Sequence, residues 1–201
     1  MSGIETAGLE PGDLRPAAAA PTGDALRALL LSRIHDVPDY PKPGVMFKDI
    51  TPLLADPVAF GALTEALAAL CRTHRADKVV GLEARGFILA APVAVSAGVG
   101  FVPVRKAGKL PGATLRQTYD LEYGTAEIEI HSDAVRPGER VLVIDDVLAT
   151  GGTAEASLHL LRRAGAEVVG VAVLLELGFL GGRQRLQASL GDTPLEALTA
   201  V

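Results

Sequence analysis

The sequence predicts an α/β fold in which a central, mainly parallel sheet is flanked by helices. Two patterns and a composition carry that prediction. Lys78–Leu82, Val141–Ile144 and Val168–Leu175 are short apolar runs without polar alternation, as strands covered on both faces read. Stretches of helical composition lie between such runs, which is the order of a strand followed by a crossover helix. Of the 201 residues, 49% are hydrophobic but only 4% aromatic, with glycine and alanine plentiful. That composition suits close packing of helices on a sheet, and the length fits one domain with a sizeable core.

Taken in order, residues 1–23 are rich in Ala, Pro and Gly without any period and read as a disordered extension to a domain spanning 24–201. A helix begins at Asp24, with Leu26, Leu29, Leu30 and Ile34 at helical spacing. The prolines of 36–44 then force an extended, turn-rich path. Pro57–His74 is an amphipathic helix with a basic end, as its dipole favours. Strand Lys78–Leu82 leads into Glu83-Ala84-Arg85-Gly86, and a helix starts near Phe87. Residues 86–104 carry no charge, close to a membrane-spanning length. Pro92, Gly98, Gly100 and Pro103 interrupt them, so a buried helix and the strand Gly100–Lys106 account for the stretch.

The segment 107–124 reads as a long loop, of the length that commonly serves as a lid. Glu127–His131 alternates like a half-exposed strand. After Ile144 come Asp145, Asp146, a glycine turn, Thr153 as N-cap and a helix over Ala154–Arg163. Glu176–Gly182 reads as a loop and Arg183–Leu186 as a turn, while 195–201 is compatible with either a strand or a helix.

The unit around Asp145 has a clear chemical use. Gly151 and Gly152 let the backbone turn sharply and approach a ligand. Free amides of the turn and helix start then favour a phosphate. Ionised Asp145 and Asp146 repel phosphate but accept hydrogen bonds from paired sugar hydroxyls. A ribose diol beside a 5′-phosphate satisfies both halves. A P-loop is excluded because no lysine follows Lys109. A dinucleotide fingerprint would place its glycines first and its acid about 20 residues later.

Composition excludes other classes. Net charge is −5, which does not support non-specific nucleic-acid binding, although Arg105, Lys106 and Lys109 form a local basic patch. The single cysteine, Cys71, lies in a helical pattern and reads as a core residue. His35, His74, His131 and His159 lack metal-ligand spacing. With an acidic start and no apolar leader core, the chain reads as a cytoplasmic protein that engages neither membrane nor nucleic acid.

VLVIDDVLATGGT (141–153) resembles the phosphoribosyl-diphosphate motif of the type I phosphoribosyltransferases. YPKPGVMFKDIT (40–51), GLEARGF (81–87) and RKAGKLPGATLRQTYDLEYG (105–124) are similar to the adenine-specific members of that family. The resemblance implies the type I phosphoribosyltransferase fold, with a small hood over about 24–52 and a flexible lid over about 105–124. It implies purine salvage, in which adenine and 5-phosphoribosyl 1-diphosphate become AMP and diphosphate with Mg2+ as cofactor, in a homodimer.

Site residues follow by the same resemblance. Phe47 stacks on the base, a reasonable use of an aromatic, while backbone groups of Met46 and Lys48 read its edge; many relatives carry arginine where Lys48 stands. Glu83, Ala84 and Arg85 form a diphosphate-binding turn with a cis peptide between Glu83 and Ala84. Arg85, Lys106 and Lys109 serve the diphosphate, and Arg105 reaches a neighbouring subunit's site. Asp145 and Asp146 grip the ribose diol and meet the metal only through hydroxyls or water, with no direct protein ligand. Ala149, Thr150, Gly151, Gly152 and Thr153 hold the 5′-phosphate. Glu122 handles the proton on the purine ring, helped by burial that raises its pKa, and Tyr123 packs across the nucleotide or lid. The same donor site would also serve a hypoxanthine or xanthine transferase, or a non-catalytic regulator sensing the donor. A regulator needs a nucleic-acid surface, and neither a winged-helix segment before residue 24 nor a broad basic stripe is present.

Overall fold

The structure, a computed structural model, describes residues 22–120 and 124–201. The disordered extension read for 1–23 therefore lies almost wholly outside the described residues, as do Glu122 and Tyr123. The first elements are α1 (Gly23–Leu31), the antiparallel pair β1 (His35–Pro38) and β2 (Met46–Asp49), the short α2 (Thr51–Ala55) and α3 (Pro57–Thr73). The prolines act as expected at the β1–β2 turn, where Tyr40–Pro41 is cis and the Gly44 amide donates to Asp39 Oδ1 at 2.8 Å. The start of α3 is set by Asp56, whose carboxylate accepts from the amides of Val58 and Ala59, with Pro57 at the first helical position.

The remaining chain runs β3 (Lys78–Leu82), α4 (Arg85–Ala97), β4 (Gly100–Lys106), β5 (Thr114–Asp120) and β6 (Thr125–His131). After these come β7 (Arg140–Leu148), α5 (Gly152–Arg163), β8 (Glu167–Glu176), a 3-10 turn at Gly178–Leu180, α6 (Gly182–Leu190) and β9 (Leu195–Ala200). Seven strands form one sheet in the order β5-β6-β4-β3-β7-β8-β9. β4, β3, β7, β8 and β9 are parallel, and the β5–β6 hairpin adds an antiparallel edge.

Successive residues of β7 feed opposite layers, which explains its unbroken apolar run. Leu142 and Ile144 pack with Leu63, Leu67 and Val93 on one face, while Val141 and Val143 pack with Leu158, Leu161 and Val173 on the other. Cys71 lies in the first of these cores, as its helical context predicts. Among the described residues, no helix is long and apolar enough to cross a membrane.

Four local expectations change. Thr114–Asp120, read as part of a loop, is an edge strand paired along its length with β6. Thr153 does not cap α5; the helix starts at Gly152 behind Gly151, whose φ of 82° turns the chain. Arg183–Leu186 belongs to α6, whereas Leu195–Ala200, which the sequence leaves open between strand and helix, is a strand parallel to β8. β6 departs from simple alternation because Glu129 is fully buried.

Candidate active site

The sheet order reverses between β3 and β7. From β3 the chain moves to β4 on one side, and from β7 to β8 and β9 on the other. In open α/β sheets the crevice beyond the carboxyl ends of such strands is where ligands bind. Here β7 pairs with β3 only as far as Ile144, whereas its pairing with β8 continues to Leu148. Asp145 and Asp146 therefore stand where the sheet splits, facing the turn Glu83–Arg85 that leaves β3. The peptide between Glu83 and Ala84 is cis, as the resemblance implies.

Close packing and charge shape this split. A Cβ on Gly86 would fall 2.8 Å from Asp145 Oδ1 and 3.0 Å from the Ile144 carbonyl, so only glycine lets the start of α4 approach. Burial, then the neighbouring Asp146 charge, raises the Asp145 pKa well above the usual carboxylate range. Asp145 Oδ1 accepts from the Asp146 amide at 2.9 Å. Arg85 Nη2 lies 2.7 Å from Asp146 Oδ2, yet this ion pair lacks hydrogen-bond alignment and leaves that buried oxygen without a hydrogen-bond donor.

Arg85 also connects the acids to an apolar cavity. Its guanidinium carbon sits 5.0 Å from the centre of the Phe47 ring, and its Nη1 donates to the Lys48 carbonyl at 3.4 Å. Tyr40 meets Phe47 edge-on at 5.1 Å. The cavity, about 420 Å³, is lined by Met46, Phe47, Lys48, Arg85, Val147, Ala149 and Thr150 together with Leu177, Phe179 and Leu180. Those last three were not singled out from sequence. The available signal was an apolar cluster following a strand that ends at the same sheet edge.

A smaller pocket of about 90 Å³ opens beside it, lined by Asp145 and the residues from Val147 to Ala154. The first amides of α5 have no intrahelical acceptors and carry the positive end of the helix dipole. Ala149, Thr150, Gly151, Gly152 and Thr153 thus form one concave phosphate-sized loop. Thr153 Oγ1 donates to the Tyr119 hydroxyl at 3.3 Å, tying that loop to β5.

Across the split, Glu83 Oε2 accepts from the Lys106 amide at 2.9 Å and from Arg105 Nε at 3.3 Å. Burial opposes ionisation of Glu83, but these donors and the adjacent cations hold its pKa below the usual range. Arg105 Nη1 further donates to the Lys109 carbonyl at 3.1 Å, so this side chain is engaged within its own chain. The structure thus gathers the predicted residues of 46–48, 83–85 and 145–153 around one crevice, bonds Arg105 and Lys106 to Glu83 at its side and links Lys109 to them through Arg105, while Glu122 and Tyr123 lie outside the described residues. Among the described residues no group of three or more His, Cys, Asp or Glu is set to hold a metal ion. The paired carboxylates and the unfilled Asp146 oxygen suit a hard cation approached through a ligand's oxygens or water.

Comparison with known proteins agrees with this architecture. Residues 50–187 match the phosphoribosyl transferase domain family. An adenine phosphoribosyltransferase of Streptomyces avermitilis is 73% identical over 86% of this chain and 95% of its own length. One from Thermobifida fusca is 61% identical over 84% of this chain and 93% of its own. Among solved structures, the adenine phosphoribosyltransferase of Rhodothermus marinus superposes with a TM-score of 0.82 at 50% identity, covering 88% of this chain and 98% of that one. The Saccharomyces cerevisiae enzyme, solved with adenine and an imino-altritol bisphosphate, gives 0.80 at 36% identity, covering 86% and 98%. By family match, identity and fold together, the chain belongs to the phosphoribosyltransferases, among the adenine phosphoribosyltransferases.

Proposed function

We propose that the crevice transfers a phosphoribosyl group from 5-phosphoribosyl 1-diphosphate to adenine, releasing AMP and diphosphate. The observation that carries this reading is the split at Ile144, which sets two acids between a base-sized apolar cavity and a phosphate-sized amide loop. Adenine packs on Phe47, with backbone groups of Met46 and Lys48 at its edge. The ribose diol lies on Asp145 and Asp146, and the 5′-phosphate on residues 149–153. Arg85, Lys106 and Lys109 receive the diphosphate, whose charge they offset as it leaves.

Bond breaking leaves a cation-like ribose carbon, so water must be kept out. The hairpin side of 105–124 serves as the lid, 24–52 as the hood, Glu122 as the acid that manages the purine proton, and Tyr123 as packing over the nucleotide. Mg2+, when bound, would supply charge neutralisation for the leaving diphosphate. Asp145 and Asp146 meet it through hydroxyls or water.

The working form in this reading is a cytoplasmic homodimer. α4 supports that assembly: Ile88 and Val95 are exposed on a helix without charge after Arg85, beside the half-open Phe101. Turnover of each base with the donor and magnesium tests the activity. Adenine is expected to be converted, and turnover of hypoxanthine in its place would overturn the assignment.

A further inference from the structure

Glu129 is a fully buried carboxylate on β6, which β4 and β3 separate from the acids of β7 in the sheet. On β6 it stands opposite Arg105 of β4 and Arg116 of β5. Yet its Oε1 is filled by the loop between those strands, accepting from the amides of Lys109 and Leu110, both at 2.9 Å. Its Oε2 accepts from Thr114 Oγ1 at 3.2 Å and lies 3.2 Å from Arg116 Nε. Burying a charge is costly unless its lone pairs are filled. Burial alone would raise this pKa, but the two amides, the Thr114 hydroxyl and Arg116 hold it below the usual range.

The consequence falls on Lys109. Its amide is held by Glu129, and its carbonyl accepts from Arg105, which is itself held by Glu83. The Lys106 amide is held by Glu83 as well. The Lys106–Leu110 turn therefore hangs between two carboxylates, one on the turn leaving β3 and one buried in the hairpin. The Lys109 ammonium makes no hydrogen bond or ion pair among the described residues. Its backbone is fixed while its charge stays available to a ligand.

We propose that Glu129 is a positioning residue for the donor: it fixes the Lys106–Leu110 turn so that the Lys109 ammonium meets the diphosphate. This rests on the assignment of Lys109 to the diphosphate made above. A side chain that only supported the fold would lower stability and disturb both substrates alike. One that aims Lys109 affects the donor selectively and has nothing to act through once Lys109 is gone.

The test measures KM for the donor and for adenine in the full chain carrying Glu129→Gln, Lys109→Ala, or both. Glutamine keeps one acceptor for the amides but turns an NH2 toward Arg116 and Thr114. Each single variant is expected to raise the donor KM roughly 10- to 100-fold, with the adenine KM within about twofold and little further change in the double variant. If Lys109→Ala raises the donor KM and folded Glu129→Gln does not, the positioning role is overturned while the Lys109 assignment stands. Multiplying effects in the double variant overturn it too. An inert Lys109→Ala removes Lys109 from the donor site and overturns both. Should Glu129→Gln not fold, Thr114→Val removes a single Oε2 donor; it is expected to give a smaller rise with the same selectivity, and an equal effect on both substrates overturns the role.

Discussion

Asp145 is where binding chemistry works against stability. Its carboxyl is buried against the Gly86 backbone and adjoins the Asp146 charge, and burial followed by that charge raises its pKa. The folded protein thus keeps the Asp145 proton to a higher pH than the unfolded chain, whose aspartate titrates near about 3.9. Ionising it costs folding free energy. That cost is absent below the unfolded value, grows as pH rises toward the raised folded value, and is complete above it. Asp145→Asn removes the cost and keeps an oxygen for the Asp146 amide. At neutral pH it is expected to stabilise the protein by roughly 0.5–2 kcal/mol, the usual size of a single stabilising substitution. The gain should fade in acid, while donor binding is expected to weaken, since in the proposed function Asp145 accepts from the ribose diol. Thermal melts against pH check this, and equal or lower stability of the variant at neutral pH would count against it.

At the scale of elements, the 149–153 loop, proposed to hold phosphate, is backed by α6. A Cβ on Gly182 would lie 2.2 Å from the Ala149 carbonyl oxygen, and one on Gly151 would lie 2.9 Å from the Gly182 carbonyl oxygen. Two backbones meet here with no room for a side chain. Gly182→Ala must displace the loop, at about 1–3 kcal/mol for overpacking, and is expected to lower Tm and raise the donor KM together. An unchanged donor KM in this variant would mean that the loop does not depend on α6. This contact was invisible in the sequence, where 176–182 reads as loop and 183–186 as turn. α6 is short and polar, with only Leu186 and Leu190 at an inward i, i+4 spacing. β5 was missed for a related reason. Its residues are largely polar, and what holds it is pairing with β6 and the packing of Leu115 and Tyr119, a period-two signal of only two residues. β3, β7 and β8 were legible because burial on both faces leaves an unbroken apolar run that needs no knowledge of partners.

Across the whole molecule, what joins the separate motifs is topology. The motifs at 83–85 and 145–153 are brought to one crevice by the strand order, and 46–48, on the separate β1–β2 pair, join it through Arg85, which meets Phe47 and the Lys48 carbonyl. Leu177, Phe179 and Leu180 entered the apolar cavity unannounced because their place depends on β8 ending at the same edge. The same global view bears on assembly. A helix apolar on all sides expects cover on all sides, yet α4 rests on the sheet and α3 by one face only. Ile88 is 45% exposed, Val95 84% and Phe101 37%, with Ile88, Pro92 and Val95 spaced to share a stripe. In the proposed homodimer this stripe meets its equivalent in a second copy, since a two-fold interface pairs the same patch with itself. Val95→Arg then sets two like charges together in an apolar contact. The wild-type chain is expected to sediment as a dimer and the variant as a monomer with its melting cooperativity kept. Because Arg85 begins α4, loss of the partner is also expected to lower turnover. A wild-type monomer at micromolar concentration, or a variant that still dimerises, would mean that α4 is not the interface.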